Sequence, residues 1–281
     1  MQELLDTFLD HLGADGATPA GTLRAYRADL SQFLHFLAGR GAVDARALGA
    51  DDMHGFAAWL GERGYANATI ARRLVALRAF SAFLIRAGVL ATDPCADLHP
   101  PAVARALRPA LTIGQIEALR ALMLRDGTPD GWRDRALLEV LLATALRASD
   151  LVALDVADIA LEDSRVTLRK RDRATRAIPL GPPAVMALAA YLQLGRPRLL
   201  RAQPEAGALF LNQQGERLTR QGCWVVLKAY ARSLDLADLS PELIRQSVAA
   251  LRFADGASVD EVRALLGHAV RRTTAVYQPA R

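Results

Sequence analysis

The chain has 281 residues, 52% of them apolar, 23% charged and 6% aromatic; at about 150 residues per ordinary domain this means one large domain or two ordinary ones, and it excludes a disordered chain. The net charge of +5 is uneven: residues 1–100 hold 9 basic and 11 acidic side chains, so the basic excess lies wholly in the remainder, which suits a polyanionic partner. Two cysteines far apart, Cys95 and Cys223, make no disulfide framework and no metal-ligand spacing, and fit a reducing compartment. The acidic, amphipathic start is not a signal peptide, and no apolar run reaches the ~18 residues of a membrane span, so the expected location is the cytoplasm.

Residues 1–98 read as helices throughout. After an opening amphipathic segment, Thr18-Pro19 marks a helix start. Leu23, Tyr26, Leu30, Phe33 and Leu34 then recur at helical spacing up to Gly39 and Gly41. Asp51-Asp52 opens a third helix carrying Phe56, Trp59 and Leu60. Asn67 is expected to cap a fourth, with Ile70, Leu74, Leu77, Phe80 and Leu84 on one face and Gly88 at its end. The sum is a four-helix bundle. The proline- and arginine-punctuated stretch 99–111 reads as a linker, and Thr112 with Gln115 has capping-box spacing.

Beyond it, helices are expected over 112–124, 130–144 and 149–154. The short runs around 159–162 and 165–180 follow, in which Val166–Leu168 and Ala177–Leu180 are the convincing strands, joined by a charged turn. Helices resume over 183–194, 219–233 and 241–253. Ser258 and Glu261 form a second capping box, whose helix ends at Gly267, and a last short helix runs toward Tyr277.

No glycine-rich phosphate loop, nucleophile elbow or zinc-protease motif occurs. Three segments stand out instead. TALRASDL places Arg147 at the end of an apolar helix, where a guanidinium needs an anion. SPELIRQSVAAL carries Arg245, and LLGH carries His268, followed nine residues on by Tyr277. Together with the basic hairpin ending in Ile178-Pro179-Leu180, this ordered set resembles the tyrosine recombinase/integrase family, above all its short Xer-type members. The stretches TLRAYRADLSQFLHFL, TIARRLVALRAFSAFLIRAGVLATDPCADL and GALFLNQQGERLTRQGCWVVLKAYA extend the likeness over nearly the whole chain.

The resemblance implies a mainly α fold: an N-terminal four-helix, SAM-like DNA-clamping domain over 1–98, a linker over 99–111, and a mixed α/β catalytic domain with a small β-sheet over 112–281. It implies cutting and rejoining of double-stranded DNA at a specific site through a 3′-phosphotyrosyl intermediate. Covalent capture conserves the ester, so no metal, nucleotide or other cofactor is required. Tyr277 takes the nucleophile's role, Arg147 and Arg245 clamp the scissile phosphate, and His268 assists by hydrogen bonding or proton transfer. A hairpin lysine protonates the leaving 5′-oxygen. Lys170 is the candidate; an ungapped register would place this role on Arg171, a poor proton donor.

Glu242 departs from the pattern, which has histidine there, and Gln246 replaces a second frequent histidine. A carboxylate repels a phosphate, so Glu242 is protonated, turned away or paired with an arginine such as Arg245, and the expectation is slower cleavage or dependence on an activating partner. Arg72, Arg73 and Arg78 of the fourth helix, with Arg220 and Trp224, are candidate DNA contacts. The implied working state is a homo- or hetero-oligomer assembled on DNA. The four residues after Tyr277, which include a proline, weaken the expectation of a cyclic four-subunit synapse. The rival expectation is a catalytically impaired DNA-binding member of the same fold.

Overall fold

The computed structural model describes the chain apart from residues 15, 17, 42–43, 103–108, 125–126, 171–172, 201–206, 269 and 279–281, and gives the backbone alone of Lys170, Arg173 and Ala174. It divides into two units, Met1–Ala106 and Leu107–Arg281. Much of the expected linker, and Arg171, lie outside the described residues.

The first unit is built from α1 (Gln2–Ala14), α2 (Ala20–Gly39), α3 (Ala50–Glu62) and α4 (Asn67–Arg86), with a 3₁₀ turn at Ala45–Ala47. Each helix buries one apolar stripe, and Phe8, Phe33, Phe56, Leu74 and Phe80 are at most 1% exposed. The rings meet at angles that suit their quadrupoles: Phe33 and Phe56 lie edge-on with centroids 5.2 Å apart. Two helix starts differ from expectation. Pro19, not Thr18, occupies the cap of α2, and its carbonyl accepts from the backbone N–H groups of Thr22 and Leu23. Asn67 is the first helical residue of α4, after an Ala66 cap, and its side-chain amide donates to the Ala102 carbonyl at 3.4 Å. Gly88, at φ +70°, ends that helix as expected.

The second unit opens with α5 (Ile113–Leu124), α6 (Pro129–Thr144) and α7 (Ala148–Val152). Thr112 and Gln115 cap α5 reciprocally, at 2.9 and 3.2 Å. Helix α6 is buried all round, with Leu137, Leu138, Val140 and Leu141 at most 1% exposed. Its buried charges are paired, as burial demands. Glu139 takes two hydrogen bonds from Arg120, at 2.8 and 2.9 Å. Arg133 bridges Asp134 at 2.8 Å and Asp130 at 2.6 Å. Burial, opposed by Arg133, pushes the Asp134 carboxyl up to about 6.

A three-stranded antiparallel sheet follows, in the order β1 (Ile159–Ala160), β2 (Arg165–Lys170), β3 (Arg173–Pro179). Pairing of Val166 with Ile178 and of Leu168 with Arg176 puts these four on one face, the inner one, where Val166 and Ile178 are 0% and 2% exposed. Strand β1 was not expected as a strand; its two residues are too few to show alternation. Helix α8 (Pro182–Ala190) continues through a π turn at Tyr191–Gly195 into α9 (Arg196–Leu199), where one helix was expected. A Cβ on Gly195 would lie 2.8 Å from Trp132 Cβ and 3.0 Å from the Pro129 carbonyl, so only glycine lets this turn close on α6. The chain ends in α10 (Arg220–Arg232), α11 (Pro241–Ala254), α12 (Val259–Leu266) and α13 (Arg271–Ala275). Among the described residues no helix is long and apolar enough to cross a membrane.

Candidate active site

Four chain segments of the second unit meet around Arg245. Helix α6 ends at Ala145 in the left-handed conformation, φ 49°, turning the chain so that Arg147 caps α7 with its side chain exposed. Helix α11 is started by Ser240, whose Oγ accepts from the Leu243 N–H at 3.2 Å, with Pro241 in the first turn. Glu242 also lies in that first turn, where the helix dipole favours a carboxylate. Arg245 follows three residues later on the same face. Helix α12 begins with the Ser258–Glu261 capping box and ends at Gly267, φ 62°. This left-handed residue releases the chain to place His268, and α13 then brings round Tyr277, whose N–H bonds the Thr274 carbonyl at 3.0 Å.

Arg245 is 3% exposed. Its Nη1 donates to the Ala145 carbonyl, and its Nη2 donates to the Leu266 carbonyl at 2.6 Å and to His268 Nε2 at 3.0 Å. Arginine has only donors, so His268 Nε2 is an acceptor and Nδ1 carries the proton. Nδ1 then donates to Thr274 Oγ1 at 3.0 Å. The imidazole stacks on the Tyr277 ring, centroids 6.2 Å apart and 26° between planes. The Tyr277 hydroxyl donates to Glu242 Oε1 at 3.3 Å. Burial first, then the neighbouring positive charge of Arg147, draws the Arg245 pKa down, while Glu242, Tyr277 and Asp150 oppose the shift. Chemically, the arrangement offers a fixed guanidinium and a second, exposed one for an anion, beside a phenol whose proton already points at a carboxylate.

The structure therefore brings Arg245, His268, Tyr277 and Glu242 into mutual contact and sets Arg147 beside them. The Glu242 carboxylate is turned toward the Tyr277 hydroxyl, a partner that was not among the alternatives expected for it. Lys170 ends β2, paired with Arg173 of β3, so its backbone lies in the hairpin. Arg220 and Trp224 are exposed on α10 and share with Ala148, Gln221, Pro241 and Glu242 a groove of about 650 Å³. The three arginines of α4 expected to touch DNA have partners within the first unit. Arg72 pairs with Asp29, and Arg78 donates to the Leu98 carbonyl. Arg73 is 3.5 Å from Asp29, with a side chain only 12% exposed, and stacks over Tyr65 with its guanidinium carbon 4.0 Å from the ring centre.

Two residues of the site were not anticipated. Thr274 accepts from the His268 Nδ1–H that Arg245 imposes, and so holds the ring in place. Arg176 donates to the Leu265 carbonyl at 2.7 Å and lies against Gly267, where a Cβ would come within 3.0 Å of its Nη1. Burial draws its pKa down, with Asp150 opposing. The signal for Arg176 was available: two residues before Ile178, it is a charged residue at an inward strand position.

Both units match known families. Residues 110–281 match the phage integrase family, and residues 5–88 match the phage integrase N-terminal SAM-like domain. The chain is 40% identical over 278 residues to tyrosine recombinase XerC of Roseiflexus sp. (strain RS-1), covering 99% of this chain and 89% of that protein. It is 37% identical over 284 residues to tyrosine recombinase XerD of Mycobacterium tuberculosis (strain ATCC 25618 / H37Rv), covering 97% and 91%. Its fold is shared with the Tn1549 transposon integrase solved with transposon right end DNA, at a TM-score of 0.75 and 17% identity over 99% of this chain and 95% of the other. It is shared also with the XerH site-specific recombinase solved on a palindromic difH substrate, at a TM-score of 0.74 and 18% identity over 92% and 76%. On these matches, which span both units, the chain belongs to the phage integrase family, among its Xer-like tyrosine recombinases.

Proposed function

We propose that the chain cleaves and rejoins duplex DNA at a specific site with Tyr277 as the nucleophile. The observation that carries this reading is the convergence of Tyr277, His268 and Arg245, with Arg147 beside them. In the proposed step the Tyr277 oxygen attacks the scissile phosphorus and becomes joined to the 3′ side of the break. The 5′-oxygen leaves, and the reverse attack by a 5′-hydroxyl rejoins the strand. Arg245, held by two carbonyls and His268, and the exposed Arg147 grip the phosphate and stabilise the charge that builds on it. Lys170, rather than Arg171, supplies the proton to the departing oxygen.

Arg220 and Trp224 contact the DNA beside the site through the groove they share with Glu242, and Arg72, Arg73 and Arg78 are the proposed contacts from the first unit. Two exposed cations of the second unit, Arg147 and Arg220, make binding salt-sensitive. The working state is several protomers on paired sites in the cytoplasm. Inactivity draws no support from the relatives, which are recombinases by name.

The test uses nicked duplexes recovered from a randomised pool by binding to the chain, with the nick placed in turn at each position of the bound site. A covalent protein–DNA adduct that disappears in Tyr277→Phe is the expected result. Specific binding with no adduct on any duplex overturns the reading.

A further inference from the structure

Glu242 stands where a histidine was expected, one turn before the buried Arg245, and receives the hydroxyl of Tyr277. We propose that Glu242 is the proton acceptor for Tyr277 in strand cleavage and its proton donor in rejoining. The inference rests on the recombinase reading above and adds a catalytic residue to it.

Geometry assigns the proton to this carboxylate rather than to the imidazole. Both nitrogens of His268 are engaged, Nε2 by Arg245 and Nδ1 by Thr274. The ring meets Tyr277 face to face, at 26° between planes, instead of presenting a nitrogen to its hydroxyl. The 3.3 Å from hydroxyl to Oε1 is longer than the ordinary O–H···O bond, as catalytic hydrogen bonds often are before substrate arrives.

The charge of Glu242 then acts in the direction catalysis needs. Before the reaction a carboxylate beside a phosphodiester is repulsive, which weakens binding of uncleaved DNA. As the Tyr277 O–H bond breaks, its proton passes to Glu242 Oε1 and the carboxylate becomes neutral. At the same time the phenol oxygen bonds to phosphorus, and negative charge grows on the phosphoryl oxygens. The P–O5′ bond breaks, and the 5′-oxygen leaves with a proton from the hairpin lysine or from water. The repulsion present in the ground state has gone when the charge on phosphorus peaks, so the interaction favours the transition state over bound substrate. Rejoining runs the steps backwards: protonated Glu242 returns its proton to the Tyr277 phenolate as it departs.

The experiment measures single-turnover cleavage of the nicked duplex by the full chain, Glu242→Gln and Glu242→His across pH, together with the Kd for the same duplex without the nick. Glutamine keeps a hydrogen-bond acceptor for Tyr277 but takes no proton. Glu242→Gln is expected to cleave ~10²-fold more slowly at pH 7. Its rate should climb about tenfold per pH unit toward the ordinary tyrosine range, a slope the unaltered chain does not share. It should also bind uncleaved DNA at least as tightly, which shows that it is folded. Glu242→His, which restores a proton acceptor, should recover most of the rate. Equal rates and parallel pH profiles for Glu242→Gln and the unaltered chain would overturn the proposal and leave the recombinase reading intact. Absence of an adduct from the unaltered chain would overturn both.

Discussion

A buried arginine is costly unless its donors are satisfied, and Arg245 is satisfied by two backbone carbonyls and a histidine. Its position is thus set before DNA arrives. Arg147, Arg245, His268 and Tyr277 are each ordinary letters, picked out in the sequence only by the resemblance of the ordered motifs that carry them, and the structure gathers them in one place. The carbonyls of Ala145 and Leu266 were not legible, since a backbone carbonyl has no letter of its own. Thr274 was invisible for a related reason: a threonine in a short helix has many uses, and its contact with His268 arises only when α13 folds back. Its function is positioning. Thr274→Val should leave the Nδ1–H unsatisfied and slow cleavage about tenfold, ~1.4 kcal/mol, with DNA affinity unchanged and with Thr274→Ser close to normal. Single-turnover cleavage and a binding titration check this; equal loss in Thr274→Ser would point to packing instead. Hairpin chemistry is tested with a duplex carrying a 5′-thio leaving group, which needs no proton to depart. Lys170→Ala should be rescued by that substrate and Arg171→Ala should not; rescue of Arg171→Ala alone would move the role to Arg171.

Elements were read well where an apolar stripe repeats, as in α2 and α4, and less well at their ends. Pro19 and Asn67 each sit one position away from the expected role, because side chain and backbone compete to satisfy the same first-turn groups. The two residues of β1 fall below the length at which alternation is visible, and the π turn after α8 depends on how closely Gly195 meets Trp132, a tertiary fact. Gly267 was legible as a helix end, and its left-handed φ of 62° confirms why glycine stands there. Gly267→Ala should cost ~1–2 kcal/mol in stability. It should also slow cleavage, because the added Cβ would crowd Arg176, which donates to the Leu265 carbonyl at the end of α12, three residues before His268. Gly256→Ala is the matched control: φ is +87° with open space around it, so stability falls comparably while cleavage does not. Thermal unfolding and adduct formation on both variants separate strain from crowding; equal cleavage in the two would remove Arg176 from the account.

On the scale of the molecule, charge asymmetry along the chain pointed to the second unit as the anion-binding one, and that unit holds the clustered arginines of the candidate site. Composition gave no hint of the ionic core beneath it. Asp134 and Arg133 lie buried in α6, 6% and 5% exposed. Burial raises the Asp134 pKa to about 6 from the ordinary 3.8. A carboxyl that holds its proton more tightly folded than unfolded favours the fold below pH ~4 and loses that contribution as pH rises through ~6. Between pH 4 and pH 7 the unaltered chain should therefore lose on the order of 2–3 kcal/mol of stability relative to Asp134→Asn. Denaturant unfolding at the two pH values measures the difference; a gap that does not change with pH would show that Asp134 titrates normally. The decisive event of the proposed reaction is chemical: esterification of Tyr277 to DNA. The direct measurement is protease digestion of the covalent adduct followed by mass spectrometry, with end analysis of the released strand. The expected result is a nucleotide joined through its 3′-phosphate to the peptide containing Tyr277, and a free 5′-hydroxyl on the other product. A nucleotide on any other residue, or a linkage through a 5′-phosphate, would contradict it.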